Sequence, residues 1–268
     1  MPIRLGCIAI SLVMLTALSF PASAGQLVIQ VDSQAAVQDG QVRMSLKVAN
    51  HGDEPAVNIQ AQALATRHQV KSRLVASLPP GQIVELNLSW PHSQSGQGRF
   101  AAVARVGFQD LNQYPFTAMA YAYYSLGPDR PCALSVRPQP QKLAGRKQVQ
   151  LRLKNPEPKP VPGRLQAFAP REISLKPSAM EITLPGRGEA DTRFELENFS
   201  SLKGATYPVL FLWEEKGSGI HTAKVIEIPV TVVEQTNFFK RTMSWWLAVC
   251  GFLAALFVFF HLRARRSA

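Results

Sequence analysis

The stretch VRMSLKVANHG, residues 42–52, decides the fold class of this chain. Every second residue from Val42 to Val48 is large and apolar, while the residues between them are mostly polar. Alternation with a period of two is typical of a β-strand that buries one face. The Asn50-His51-Gly52 sequence that follows is typical of a turn. The stretch therefore predicts a half-buried strand that ends in a tight turn.

The same alternation extends outward over most of residues 25–238. Turn formers such as Pro79-Pro80-Gly81 and Pro185-Gly186 separate the alternating stretches, and helical periodicity is almost absent. Many short strands at intervals of about ten residues favour an antiparallel β-sandwich. The further predicted strands are 27–31, 83–90, 100–106, 116–124, 149–153, 192–196, 208–213 and 223–233.

The pattern around Asn50 recurs around Asn155, 105 residues later. Each asparagine follows an alternating strand, and a Leu-Pro turn comes some thirty residues further on, at Leu78 and Leu184. A repeat of about 105 residues is the size of one immunoglobulin-like domain. We therefore predict an all-β fold with two tandem immunoglobulin-like β-sandwich domains, followed by one C-terminal transmembrane α-helix. The predicted domains are residues 25–128 and 129–238.

The residues around these turns resemble known families of bacterial domains. Residues 46–55, LKVANHGDEP, resemble the opening strand and turn of cell-adhesion-related (CARDB) domains. The second repeat is similar to the galactosidase-associated Ig-like family, in a pattern of Asn155, Ala169-Pro170, Leu184-Pro185-Gly186 and Gly204-x-x-Tyr207. The resemblance covers most of residues 25–235 and implies an Ig-like fold outside the cytoplasm. It implies a spacer, binding module or accessory domain, and it transfers no catalytic residue.

An export signal is predicted over residues 1–24. Arg4 precedes an apolar stretch that runs from Leu5 to Phe20, and small residues at Ala22 and Ala24 follow it. This order of charge, apolar stretch and small residues is typical of a cleaved secretory signal peptide. Cleavage is expected directly after the second of these alanines, and an uncleaved anchor is the alternative.

A membrane-spanning helix is predicted at residues 242–262. No charged residue or proline interrupts 245–260, and roughly 20 apolar residues suffice to cross a bilayer core. Tryptophans stand near its start and arginines follow its end, where the membrane interface and the cytoplasmic side favour them. Residues 263–268 are thus predicted to be a short cytoplasmic tail, and a buried core helix is the alternative. The interface residues are Trp245, Trp246, Arg263, Arg265 and Arg266.

The two apolar segments together predict a single-pass protein of the cell membrane. Its β-domains are expected in the periplasm or outside the cell, and its C-terminus in the cytoplasm. Within the helix, Gly251 and Ala255 are four residues apart, a spacing of small residues that lets helices pack closely. A helix that dimerises, a helix that docks on a larger membrane complex and a lone anchor all fit this spacing.

The net charge of +11 is concentrated at the start of the second predicted domain. Residues 130–176 contain eleven Lys and Arg against two Glu, whereas residues 177–239 contain five basic and nine acidic residues. Outside the cytoplasm, a basic surface favours an anionic glycan, an anionic lipid or an acidic protein over nucleic acid. Alternatively, these cations pair with the acidic half of the same domain. The candidate contact residues are Arg146, Lys147, Arg152 and Lys154.

Tyr121 and Tyr123 share one face of the strand predicted at 116–124. Exposed tyrosines on a sheet surface stack on sugar rings or anchor protein partners. We therefore include both in the candidate binding surface. The alternative is that the next domain covers this face.

No motif for catalysis or for cofactor or metal binding is evident in the sequence. The histidines do not stand at zinc-binding or calcium-binding spacings from Cys, Asp or Glu, and His51, near Asp53 and Glu54, lies in a predicted turn. Gly-x-Ser-x-Gly, phosphate-loop and zinc-protease motifs are lacking. Cys132 is the one cysteine between the apolar segments, so it is expected to be buried or to form a bridge to another chain. We expect neither an enzyme nor a cofactor.

The sequence thus predicts a non-enzymatic, membrane-anchored binding or scaffold protein outside the cytoplasm. Its expected partners are the membrane and either a protein of the cell envelope or an anionic glycan, without nucleic acid. The alternative is an accessory subunit of a complex for polysaccharide export, secretion or respiratory assembly, docked through its transmembrane helix.

Overall fold

The computed structural model describes residues 26–66, 69–93, 96–216, 219–234, 243, 245–253 and 256. Nearly all described residues up to 234 lie in β-strands or in the turns between them. The strands form two consecutive sandwiches, each around its own buried apolar cluster. The prediction of an all-β fold is therefore confirmed.

The first sandwich contains seven antiparallel strands. One of its sheets has the order β1-β2-β5, and the other has the order β4-β3-β6-β7. The strands are β1 (Ile29–Gln38), β2 (Gln41–Asn50), β3 (Ala56–Ala63), β4 (Val75–Leu78), β5 (Ile83–Pro91), β6 (Gln97–Gln109) and β7 (Pro115–Leu126).

The core of the first sandwich lies between these two sheets. β2 buries Val42, Met44, Leu46 and Val48, the four alternating residues identified in the sequence. They share one apolar cluster with Phe100 and other inward residues of the facing sheet. Since burying one such side chain contributes about 1.5–3 kcal/mol, this alternation fixes which face of β2 turns inward.

The second sandwich contains nine strands. Its sheets have the orders β12-β14-β10-β8 and β13-β11-β15-β17-β9, with β9 parallel to β17 and the other pairs antiparallel. Phe194 and Phe211 meet in its core in an edge-on arrangement, with ring centroids 4.7 Å apart. The strands are β8 (Ser135–Val136), β9 (Gln141–Leu143), β10 (Arg146–Lys154), β11 (Val161–Phe168), β12 (Ile173–Lys176), β13 (Ala179–Leu184), β14 (Glu189–Asn198), β15 (Thr206–Glu215) and β17 (Ala223–Val232).

One two-residue strand joins the two sandwiches. β16 (Ile220–His221) lies between β15 and β17 in the chain, yet it pairs in parallel with the first residues of β6. A strand contributed by the second half of the chain therefore extends a sheet of the first half.

Of the C-terminal segment, Met243, residues 245–253 and Leu256 are described, and all of them are helical. Within these described residues, no helix is both long enough and apolar enough to cross a membrane. The predicted signal peptide over 1–24 and the predicted tail over 263–268 lie outside the described residues. So do several positions of the predicted spanning helix, which are 242, 244, 254–255 and 257–262.

Candidate functional site

The face of β7 that carries Tyr121 and Tyr123 lies against the second sandwich. Both tyrosines pack on a buried apolar cluster that is separate from the two sandwich cores. The backbone N–H of Val225, on β17, donates a hydrogen bond of 2.8 Å to the Tyr123 hydroxyl. The second sandwich therefore covers this face, as in the alternative given above. The buried members of the cluster are Ala101, Val103, Leu210, Leu212, Ala223 and Val225.

We call the contact between the two sandwiches the junction, and β16 is its most specific element. His221 lies opposite Gly98 in the parallel pairing of β16 with β6. Gly98 has a φ of 136°, a region that favours glycine. A Cβ atom on Gly98 would overlap the carbonyl oxygen of His221 and lie 2.6 Å from its nitrogen. The close approach of β16 thus requires glycine at this position.

The His221 ring is held by groups from both sandwiches. It stacks on Phe100 with ring centroids 4.1 Å apart, and its Nδ1 lies 2.8 Å from the Arg99 carbonyl oxygen. Its Nε2 lies 3.6 Å from a carboxylate oxygen of Glu214, which is also almost buried. Burial by itself lowers the pKa of His221. Hydrogen bonds to Glu214 and to the Arg99 carbonyl, with the negative charges of Glu214 and Glu215, outweigh burial and raise this pKa.

One further contact crosses the junction away from β16, and a second contact supports it from within the first sandwich. The Arg99 guanidinium lies over the Tyr123 ring, 4.0 Å from its centroid, so it orients the tyrosine that accepts from Val225. Tyr114, in the turn between β6 and β7, donates its hydroxyl hydrogen to the Ser200 carbonyl of the second sandwich. Contacts at separated points hold two bodies in one orientation better than a single point does, so the sandwiches are fixed relative to each other.

The predicted basic contact residues lie on β10, and most of their charge is paired. Arg146 forms ion pairs with Glu195 at 3.5 Å and Glu197 at 3.0 Å, both on the neighbouring strand β14. Arg152 pairs with Asp191 at 2.9 Å and with an adjacent glutamate at 3.8 Å.

The two lysines of this set differ in exposure. Lys154 lies 3.8 Å from Glu189 and is exposed, whereas Lys147 is half-buried and lies on the core-facing side of β10. The surface is therefore a ladder of opposite charges across β10 and β14. This is the arrangement in which the basic stretch pairs with the acidic half of its own domain.

The described part of the C-terminal helix exposes large apolar side chains. Trp245 is 76% exposed and Trp246 is 56% exposed. A Cβ atom on Gly251 would have no neighbour within 4 Å, so this position is open on its surface. Ala255 and the arginines at 263, 265 and 266 lie outside the described residues.

The described residues contain no group of three or more His, Cys, Asp or Glu side chains that could hold a metal ion. Cys132 is half-buried and forms no disulfide, and burial raises the pKa of its thiol. A thiol with a raised pKa is a weak nucleophile at neutral pH.

Sequence reasoning does not identify the residues that make the junction specific. It assigns no role to Gly98, Arg99 or His221, since nothing in their spacing links positions on either side of the predicted domain boundary. One sequence signal does point to the junction, and it is the tyrosine pair on the strand predicted at 116–124. The alternative given for this pair is that the next domain covers it.

Three solved structures to which this chain is similar are distant likenesses. The Escherichia coli chaperone DraB is 10% identical, with a TM-score of 0.34, over 76% of this chain and 98% of DraB. A protein of unknown function from Porphyromonas gingivalis W83 is 14% identical, with a TM-score of 0.32, over 76% and 99%. Red sea bream transglutaminase is 13% identical, with a TM-score of 0.27, over 79% of this chain and 31% of the transglutaminase. The chain therefore spans less than a third of that enzyme.

No curated protein matches the sequence of this chain. A family model does match its first part, from residue 24 to residue 107. The matched range contains residues 46–55, on which the resemblance was based, and it covers β1 to β5 and most of β6. The match does not reach the second repeat. Residues 24–107 therefore match the CARDB family, as the resemblance of residues 46–55 predicted.

Proposed function

We propose that this chain is a non-enzymatic binding and scaffold protein that works outside the cytoplasm and is anchored in the membrane by residues 242–262. The observation that carries this proposal is the junction. His221 and Tyr123 bind across it by hydrogen bonds, and an apolar cluster lies between them. Two sandwiches held in one orientation form a rigid body that presents fixed surfaces, which is what a scaffold needs.

The membrane anchor is supported by the sequence and by the exposed helix residues. An uncharged run over 245–260 precedes three arginines, a pattern typical of a spanning helix with a cytoplasmic tail. Trp245 and Phe252 expose most of their surface, and contiguous apolar surface of this kind is covered by lipid or by protein in a stable molecule. The arginines that follow the uncharged run favour lipid as the molecule that covers this surface.

Membrane fractionation and protease accessibility test this proposal. The full chain is expected in the membrane fraction after alkaline extraction, and a chain that ends at Glu234 is expected in the soluble fraction. Protease added to cells with a permeable outer layer should cleave the full chain and leave only a short fragment from the C-terminus. A full chain that alkaline extraction releases, or one that external protease cannot reach, contradicts the proposal.

The second candidate function is an accessory subunit of a cell-envelope complex. The open surface around Gly251 favours it, because a glycine without neighbours on a helix lets another helix approach closely. Replacing residues 243–262 with an unrelated spanning helix separates the two functions. A docked subunit loses its activity in the cell after this exchange, whereas an anchored scaffold keeps it.

A further inference from the structure

A polar groove of about 310 Å³ opens beside the junction, on the outward face of the β3–β6 pair. Alternate residues of a strand share one face, so the face of β6 that places Ala101 and Val103 in the junction continues through Arg105 and Gly107 into the groove. Neither sandwich forms the groove alone, because Arg171 of the second sandwich also lines it.

The floor of the groove is open and rich in amides. Gln60 lies opposite Gly107 in the sheet, and since glycine has no side chain, space is left above the backbone there. The register of β3 shifts at a bulge that includes Asn58, whose φ of 55° turns its side chain to donate a 2.7 Å hydrogen bond to Gln109. Bulges of this kind redirect side chains near functional sites. The groove amides are Asn58, Gln60, Gln62 and Gln109.

Three cations surround this floor. Arg105 donates a 3.1 Å hydrogen bond to Gln62, but its buried Nε has no hydrogen-bond partner among the described residues. The Arg171 guanidinium reaches over Gly107 to within 3.8 Å of where a Cβ would stand, and Lys71 comes beside Gln62 through an isolated backbone bridge. Within the described part of the chain, none of the three cations has an acidic partner within 4.0 Å.

The charges of the groove are not balanced by their surroundings. Burial lowers the pKa of Arg105, the nearby charge of Arg171 lowers it further, and Glu172 acts in the opposite direction. Glu172 is itself only 2% exposed, and burial raises its pKa, although Thr117 and Arg105 oppose this shift. Two like charges held together beside a desolvated carboxyl group disfavour each other, so an added anion stabilises the pair.

We propose that this groove binds an acidic saccharide, with a sugar carboxylate held between Arg105 and Arg171 and ring hydroxyls bound by the groove amides. The inference rests on the proposed binding role and names its ligand class. Guanidinium groups match the geometry of carboxylates, and side-chain amides both donate and accept, as sugar hydroxyls do. Leu74, Pro115 and Phe116 supply apolar walls for the C–H face of a sugar ring.

The groove favours a saccharide over an acidic peptide because of its position on the sheet. One common way to recognise an extended peptide is to add its backbone to a free strand edge. Here β3 pairs with β4 and β6, and β6 pairs with β3 and β7, so their backbone groups are used within the sheet. Recognition in the groove depends on side chains, and the side chains present are amides and cations.

Calorimetric titration of the full chain in detergent tests this inference. The probe is a tetramer of galacturonic acid in low salt at pH 7, compared with neutral maltotetraose and with hexaglutamate. The acidic tetramer is expected to bind with a stoichiometry of one, and added salt should weaken it, since its charges are partly exposed. Arg105→Gln and Arg171→Gln should each weaken binding at least tenfold. Arg193→Gln, which removes the same charge from an exposed position on β14, should leave binding within twofold of the original chain.

Arg171 is exposed, so its variant is expected to fold even if the Arg105 variant does not, and thermal unfolding of each variant verifies this. The inference is overturned if the acidic tetramer gives no binding, if maltotetraose or hexaglutamate binds as tightly, or if Arg193→Gln causes an equal loss. Membrane fractionation is independent of these titrations. If the chain fractionates with membranes but does not bind the saccharide, this inference alone is rejected. If the chain binds the saccharide but does not fractionate with membranes, the membrane anchor alone is rejected.

Discussion

Asn50 and Asn155 form the same set of hydrogen bonds at corresponding places in the two sandwiches, 105 residues apart. The Asn50 side chain is fully buried. Its Nδ2 donates to the carbonyl oxygens of Glu54 at 2.7 Å and Leu78 at 3.0 Å, and its Oδ1 accepts from the Gly52 N–H at 3.0 Å. One side chain thus closes its own turn and ties it to a distant turn.

Asn155 repeats this arrangement in the second sandwich. Its Nδ2 donates to the carbonyl oxygens of Lys159 at 2.8 Å and Pro185 at 3.1 Å, and its Oδ1 accepts from the Glu157 N–H at 2.9 Å. In both cases the first carbonyl lies four residues after the asparagine. The repeat seen in the sequence is therefore a repeat of one buried hydrogen-bonding unit.

Replacing Asn50 with Ala should lower the free energy of unfolding by about 2–4 kcal/mol. The substitution removes three hydrogen bonds and leaves buried carbonyl groups without donors, and each such loss costs about 1 kcal/mol or more. Urea denaturation measures the change. Asn155→Ala should have a similar effect, whereas Asn87→Ala, at an exposed position on β5, should change stability by less than about 0.5 kcal/mol. A loss at Asn50 no larger than at Asn87 contradicts the role assigned to this unit.

Gly98→Ala should separate β16 from β6. The new methyl group would overlap the backbone of His221, and rigid backbone cannot move aside without breaking the pairing. Hydrogen exchange at residues 220–221, and proteolysis of the connection between β15 and β17, should both become faster.

Gly40→Ala is the matched control for this substitution. Gly40 also has a positive φ, of 71°, but a Cβ atom there meets nothing within 4 Å. It therefore carries the backbone strain without the overlap. Equal exchange rates at 220–221 in the two variants would show that the contact with His221 is not what holds β16.

Tyr123→Phe should weaken the junction by about 1–3 kcal/mol, because the Val225 N–H would lose its acceptor in a nearly buried position. Tyr121→Phe is the matched control, since Tyr121 packs on the same cluster and its hydroxyl forms no hydrogen bond among the described residues. Thermal unfolding is the measurement. If both substitutions lower the melting temperature equally, the hydrogen bond to Val225 contributes nothing beyond packing.

The stability of the junction should depend on pH through His221. Its pKa in the folded chain is raised above the ordinary value of 6.5. The stabilisation from its protonated form is therefore fully present below about pH 6.5 and is lost as the pH rises through the raised pKa. The difference in melting temperature between the original chain and His221→Gln should shrink between pH 5.5 and 8.5.

Two groups facing this ring set the direction of that dependence. Glu214 and Glu215 supply the negative charge, so Glu214→Gln should flatten the pH profile without removing the ring. A profile for His221→Gln that runs parallel to the original at every pH excludes the ring as its source.

The sequence predicted the strands well because their alternation reflects a local physical constraint. Each residue from Val42 to Val48 must face either the core or the solvent, so its polarity is visible without knowledge of the fold. The asparagine repeat was visible for a similar reason, since each unit sits at the end of such a strand. The CARDB match over residues 24–107 agrees with this part of the prediction.

The interactions between distant parts of the chain were not visible in the same way. A two-residue strand such as β16 has no periodicity to detect, and its partner Gly98 lies in the other sandwich. The groove brings Lys71, Arg105 and Arg171 together from three separate elements. The basic run over 146–154 was conspicuous by composition, yet its arginines are paired with β14, whereas the three groove cations are far apart in the sequence.

The parallel pairing of β16 with β6 also sets an order of events during biogenesis. Arg99 and His221 are 122 residues apart. β16 can therefore pair with β6 only after most of the second sandwich has been synthesised. Contacts between residues this distant in the chain form late, because the loop between them must be ordered first. We therefore expect the docking of the two halves to be a late step of folding. A surface that both halves line, such as the groove between Arg105 and Arg171, would form only at that step. An incompletely synthesised chain would lack it.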